Sequence, residues 1–384
     1  MPPSDRGVAG LPVVHEPTPP PVPPRHRRVP VSRLWWITGP LLAVLVGAIV
    51  VTGSMTMPYY TFSPGQARAV GPLVEIDPVK GGPEVPDEEV GDDILFVTVS
   101  SRQPSGFQLL DSLGDDTVQI LPEEIVTGGQ SPSQNRTFNL QLMTDSKDKA
   151  AKVALERAGF EVPVRATGAV ITDASPDLPV AKVVVPGETV VRADGTPIRT
   201  AKDLVAVIGR HQPGDTVTLV VEPFGPGRPR TVHAKLAERP GEPGKPLLGV
   251  TLEDRPEYDF PMKVEIDSDR VGGPSAGLAF TLAVLDRLTP GRLTGDGKVA
   301  VTGTINLDGS VGPVGGVRQK TEAAIREGAT VFIVPSDEYH DAKDQARGRI
   351  AIRRADSLDE ALKILEERGG DPVEPVARED RDGD

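Results

Sequence analysis

Residues 271–280 read VGGPSAGLAF, with Gly272, Gly273, Ala276 and Gly277 set around one hydroxyl, Ser275, ahead of an apolar run. A serine in such a setting reads either as a helix N-cap behind a tight turn or as a nucleophile given room for a substrate carbonyl, which needs a base elsewhere in the chain. Outward from it, PSAGLAFTLAVLDRL (274–288) predicts a helix with Pro274 in its first turn and Leu278, Leu282 and Leu285 on one face. KVAVTGTI (298–305) is strand-like, and LDGSVGPVGG is a turn-rich connection. VRQKTEAAIREGA (317–329) begins a second helix, TVFIVP (330–335) is a short buried strand and SLDEALKILEERGG (357–370) closes with a third helix. SDEYHDAKDQARG (336–348) is charged and loop-like. Alternating strands and helices make the class α/β (α+β).

Two bases compete for Ser275. Gly273-Pro274-Ser275-Ala276-Gly277 is literally G-x-S-x-G, the nucleophile elbow of α/β-hydrolases, which requires a later histidine. His340 is the one histidine after Ser275, and its charged surroundings suit a buried triad poorly. Lys320 lies at the border of an apolar stripe formed by Val317, Thr321, Ala324, Ile325 and Gly328. Partial desolvation there, lowering its pKa by about two to three units at a cost of roughly 3–4 kcal/mol, would leave a usable amine base near neutral pH. On periodicity alone the simpler reading is a lysine whose stem snorkels while its charge stays in water.

The remaining chain bounds the function. Its 384 residues suffice for two or three domains. The net charge of −13 argues against nucleic acid as a partner and leaves protein or peptide substrates. There are no cysteines, which excludes disulfides, thiol nucleophiles and thiolate metal sites. No H-E-x-x-H zinc motif and no G-x-x-x-x-G-K-[ST] phosphate loop occur, so neither metal, cofactor nor ATP is expected. Residues 1–30 are proline-rich and expected to be disordered, as is the acidic tail 368–384.

Arg25, Arg27, Arg28 and Arg33 precede an uncharged run with Trp35 and Trp36 at its entry, so residues 31–54 are expected to be a transmembrane anchor. The positive charge places the N-terminus on the cytoplasmic side and the rest outside; a cleaved signal peptide is the alternative, but GSMTM offers no clear cleavage site. Residues 55–160 form an extracytoplasmic N-terminal region without visible chemistry. It contains the apolar run DILFVTVS (93–100) and a helix over KDKAAKVALERAGF (147–160) whose stripe is Ala150, Val153, Ala154 and Ala158. Ser146 and Lys149 make a literal S-x-x-K there, which lacks its partner motifs and reads as chance.

Over 162–237, SPDLPVAK, PGE, DGTPI and PGDTVTL follow one another in a β-rich segment. This resembles the PDZ domains fused to bacterial peptidases, although Glu188 and Asp194 stand where Asp and Asn are commoner. Such domains take a peptide as an added strand; a β-rich spacer that binds nothing is the other reading. ERPGEPGKP (238–246) is a linker by composition.

GGPSAG, followed after 320 − 275 = 45 residues by the lysine of GGVRQK with VTGTI and DGSVGPVGG between them, resembles the proteolytic domain of Lon-type peptidases over 247–367. With the span and the PDZ-like segment, the chain looks like the membrane-anchored, PDZ-containing branch of that family. The resemblance implies a serine–lysine dyad: Ser275 as nucleophile, Lys320 as general base, Thr302 of VTGTI holding the lysine amine, and Gly273, Pro274 and Ala276 in support. Gly272 stands where the Lon motif commonly has Asp, as it does in the anchored branch. It further implies an ATP-independent endopeptidase acting on unfolded or loosened extracytoplasmic proteins, with a homo-oligomer among its states. The competing functions are a non-catalytic PDZ-bearing membrane adaptor and an esterase using Ser275 and His340.

Overall fold

The computed structural model describes residues 33–78, 91–128, 131–225, 227–295 and 297–376, with side chains from residue 38. The tail over 1–30 and residues 377–384 lie outside the described residues. The chain divides into two compact units, 1–54 and 55–384.

The first unit is described through α1 (Arg33–Ser54), whose Leu41, Leu42, Val44, Leu45 and Val51 are all more than half exposed. Among the described residues no helix is long and apolar enough to cross a membrane. In α1 the described side chains run only from 38 to 54, shorter than the roughly 20 residues a span needs. The anchor expected over 31–54 is therefore not found among them.

The second unit begins with β1 (Tyr59–Ala69), β2 (Val74–Pro78), β3 (Ile94–Arg102), α2 (Gly106–Ser112), β4 (Gln119–Pro122), α3 (Glu123–Thr127) and α4 (Pro132–Arg157). There follow β5 (Val164–Ala174), β6 (Thr189–Ala193), β7 (Thr196–Pro197), α5 (Ala201–Ile208), β8 (Thr216–Glu222), β9 (Arg230–Lys235), β10 (Ala237–Glu238), β11 (Pro246–Leu247) and β12 (Val250–Tyr258). The chain continues with β13 (Met262–Ile266), α6 (Gly277–Leu288), β14 (Val299–Val301), β15 (Thr304–Ile305), β16 (Val311–Gly312) and α7 (Val317–Arg326), then β17 (Val331–Val334), α8 (Tyr339–Ala346), β18 (Ala351–Arg354) and α9 (Leu358–Glu366).

One six-stranded sheet, ordered β18-β17-β14-β3-β1-β4, runs through the body. β18, β17, β14 and β3 are parallel, while β1 and β4 add antiparallel. Alternate residues of each central strand feed opposite cores. Ile94, Phe96, Val299, Val301, Val331 and Ile333 pack with α4, α6 and α9, and Leu95, Val97, Ala300, Phe332 and Val334 pack with α7 and α8. Burial on both faces is why ILFV and VFIV are continuous apolar runs instead of alternating ones. The region over 55–160 is thus not separate: β3 is a central strand of this sheet, and α4 is part of one covering layer.

The segment between β5 and β12 is an insert with its own antiparallel sheet, ordered β12-β5-β6-β8-β9, and its own core. It reaches past the expected boundary at 237, because Val250–Tyr258 pairs with β5 along its length. Its two ends meet, Asp259 N donating to Pro163 O at 3.0 Å. The Asp194-Gly195 turn forms as expected, with φ of 46° and 79°.

Three local expectations change. The stretch 238–246 is spanned by the β10–β11 pair, a short hairpin, and is no open linker. The loop-like 336–348 holds α8, because Ala342, Gln345 and Ala346 share one buried face despite the charges around them. The tail from 368 is packed as far as 376, with Val376 N bonded to Ala158 O at 2.9 Å and Asp371 accepting from Arg292 N at 2.8 Å.

Candidate active site

Ser275 lies in a turn before α6, not in the helix, which starts at Gly277 and has Ala276 as an N-cap without a side-chain bond. The cap reading of Ser275 therefore fails, and the helix begins three residues later than expected because the preceding carbonyls are bound from outside it. Ser146 Oγ of α4 donates to Pro274 O at 3.1 Å. Ser275 O accepts from Gly303 N and from Thr302 Oγ1, each at 3.0 Å, and Gly273 N donates to Asn139 O of α4 at 2.7 Å.

The surrounding glycines serve this scaffold. Gly273 has φ 90°, a conformation that an L side chain rarely adopts. A Cβ on Gly277 would stand 2.8 Å from Ile305 N and 3.0 Å from Ser146 Oγ. Small residues here let α4, α6 and β15 close on the turn, which leaves the Ser275 side chain part-exposed. Its hydroxyl, and the amides of Ser275 and Ala276, hydrogen bond to nothing among the described residues. Gly277 N and Leu278 N are already engaged with Pro274 O and Gly303 O.

Lys320 projects from the first turn of α7 and is 3% exposed. Its Nζ donates to Thr302 Oγ1 at 3.1 Å, and that hydroxyl in turn donates to Ser275 O. Burial holds the Lys320 pKa well below the usual ammonium value, at about 7, with the Glu338 carboxylate pulling weakly the other way. The snorkelling reading of Lys320 is thus overturned: the amine itself is inside. Thr302, fully buried at the end of β14, bridges the lysine amine and the serine backbone.

His340 is exposed on α8, its ring edge-on to Tyr339, and is not brought to Ser275. Ser146 and Lys149 form no pair; Ser146 is buried and committed to Pro274 O. Asn139 and Ser146 are the site residues that sequence reasoning missed. A signal existed: the buried stripe of Ala150, Val153 and Ala154, continued one turn toward the N-terminus, reaches 146. Among the described residues no group of three or more His, Asp or Glu is placed to hold a metal.

A cavity of about 300 Å³ lies in the insert between α5 and the start of β12, lined by Leu204, Ile208 and Leu252 together with Arg239, Glu242 and Lys245. The β12 edge beside it carries no strand partner among the described residues, since β12 pairs with β5 alone.

Residues 267–367 match the family described as Lon protease (S16) C-terminal proteolytic domain. The Lon protease of Haemophilus influenzae is 31% identical over 132 residues, 34% of this chain and 16% of that protein. Lon protease 1 of Bacillus subtilis is 34% identical over 119 residues, covering 30% of this chain and 15% of the relative. The chain thus spans about a sixth of the length of these curated relatives. Among solved structures, the PDZ domain of an SdrC-like protein from Listeria monocytogenes is 23% identical, with 22% of this chain and 87% of that domain covered and a TM-score of 0.21.

Proposed function

We propose that this chain, whose residues 267–367 match the Lon protease (S16) C-terminal proteolytic domain, is a membrane-anchored, nucleotide-independent serine–lysine endopeptidase in which Ser275 is the nucleophile and Lys320 the general base. The observation that carries this reading is the buried Lys320 amine, held near pKa 7 and tied through Thr302 to the backbone of Ser275. A neutral amine takes the Ser275 proton, Oγ attacks the peptide carbonyl, and the ammonium returns the proton to the leaving amine. The unengaged amides of Ser275 and Ala276 are the donors available for the oxyanion. Water, deprotonated by the same lysine, then releases the acyl group and restores the serine.

Substrates are unfolded or loosened proteins outside the cytoplasm, presented by the PDZ-like insert, whose open β12 edge and adjoining cavity suit strand addition. The absence of a phosphate loop from this sequence supports cleavage without ATP. The arginines before residue 34 and the exposed apolar side chains around α1 support a single anchor with its N-terminus in the cytoplasm.

The test is incubation of the full chain with an unfolded protein in the absence of nucleotide. Cleavage is expected for the parent and for His340→Ala, and none for Ser275→Ala or Lys320→Ala. Activity that survives loss of the lysine but not of the histidine would replace this reading with a hydrolase triad.

A further inference from the structure

We propose that the apolar side of α2 inserts into the lipid interface; this builds on the anchor reading above. In the second unit the described large hydrophobic residues with exposed surfaces are strongly clustered. Six of them, Met55, Tyr59, Phe107, Leu110, Leu113 and Ile125, are 38–70% exposed and surround the start of the unit, whereas Val164, Val205 and Leu307 each stand in a different place. Phe107, Leu110 and Leu113 recur at i, i+3 and i+6, one side of α2 and its C-cap.

Backbone bonds tie this patch to residues 55–58, the first of the second unit. Gly106 N at the start of α2 donates to Met55 O at 3.2 Å, Met57 N donates to Pro104 O at 2.9 Å, and Glu123 N at the start of α3 donates to Pro58 O at 3.0 Å. Met55 directly follows Ser54, the last residue of α1. If residues 31–54 cross the bilayer, α2 begins one backbone contact from the point where the chain emerges. An exposed apolar patch marks an interaction surface, and at that position lipid is the partner already present.

Charge decides between occupants. The ionisable residues of 103–128 are Asp111, Asp115, Asp116, Glu123 and Glu124, of which Asp116 is paired with Arg347 at 2.9 Å, leaving the segment net acidic. Two copies meeting through this same patch would oppose their carboxylates. Binding to lipid is therefore by apolar insertion and not by headgroup attraction, so neutral phosphatidylcholine suffices and anionic lipid weakens it.

Because the chain has no cysteine, Leu110→Cys in the full chain carries a single polarity-sensitive dye, with Lys235→Cys on exposed β9 as the reference. Both are reconstituted in phosphatidylcholine vesicles containing a lipid-borne quencher. Several-fold stronger quenching at 110 than at 235 is expected, unchanged on tenfold dilution of protein in lipid and reduced by anionic lipid. Equal quenching at the two positions, or shielding at 110 that vanishes on dilution and so reports a second copy, would overturn the proposal. Alkaline carbonate extraction separates the two ideas. A chain that stays in the membrane without quenching at 110 defeats only the α2 assignment, while a chain that is extracted defeats the anchor and α2 together.

Discussion

Lys320 shows what burial does to a single residue. Its amine is lowered to about 7 by desolvation, against about 10.4 for a lysine in water, so between these values the unfolded chain binds a proton that the folded one does not. Stability from this group accordingly rises with pH across that window, and the penalty is full below it. Lys320→Met is expected to abolish cleavage yet stabilise the fold at pH 7 by on the order of 2–4 kcal/mol, a gain that shrinks toward pH 10. Urea unfolding of both proteins at the two pH values checks it. In the parent, kcat/KM should climb through an apparent pKa near 7 as the amine loses its proton; a flat profile over pH 6–8 would remove Lys320 as the base.

At the scale of elements, the nucleophile turn is gripped by α4 on one side and by the end of β14 on the other. α4 gives Asn139 O and Ser146 Oγ to the turn, so the orientation of Ser275 depends on a helix well over a hundred residues earlier in the chain. Ser146→Ala leaves Pro274 O without that donor and is expected to lower kcat about tenfold with KM little changed, at a stability cost of about 1 kcal/mol. Single-turnover kinetics beside thermal melts will separate the two effects, and the apparent pKa of about 7 should not move, since the Lys320–Thr302 contact is untouched. The spacing from Ser275 to Lys320 and the residue types at both ends were legible in the sequence. The role of Ser146 was not, because a serine on an apolar helix face becomes informative only once its partner carbonyl is known.

Over the second unit, the six-stranded body that carries Ser275 and Lys320 is interrupted by an insert with its own sheet. The insert has its own hydrophobic cluster and ends that adjoin at Pro163 and Asp259, so replacing 164–257 with a short Gly-Ser linker should leave a cooperative melt and cleavage of short peptides. Processing of long unfolded substrates should fall. Residues 267–367 made alone are expected not to fold, since β14 then loses its partner β3 and α6 loses α4; circular dichroism and sedimentation of the two fragments test this pair of outcomes. Local features were legible along the chain: the helices and strands around Ser275, the Asp194-Gly195 turn, and the motif order that resembles Lon-type and PDZ domains. These are short-range, set by periodicity, turn chemistry and residue spacing. The tertiary structure alone decided that strands before and after the insert share one sheet, that the glycines of 272–277 make room for α4 and β15, and that the Lys320 amine is dry. The physical reason is that strand partners and desolvation arise from contacts between residues far apart in the chain, which no local pattern specifies.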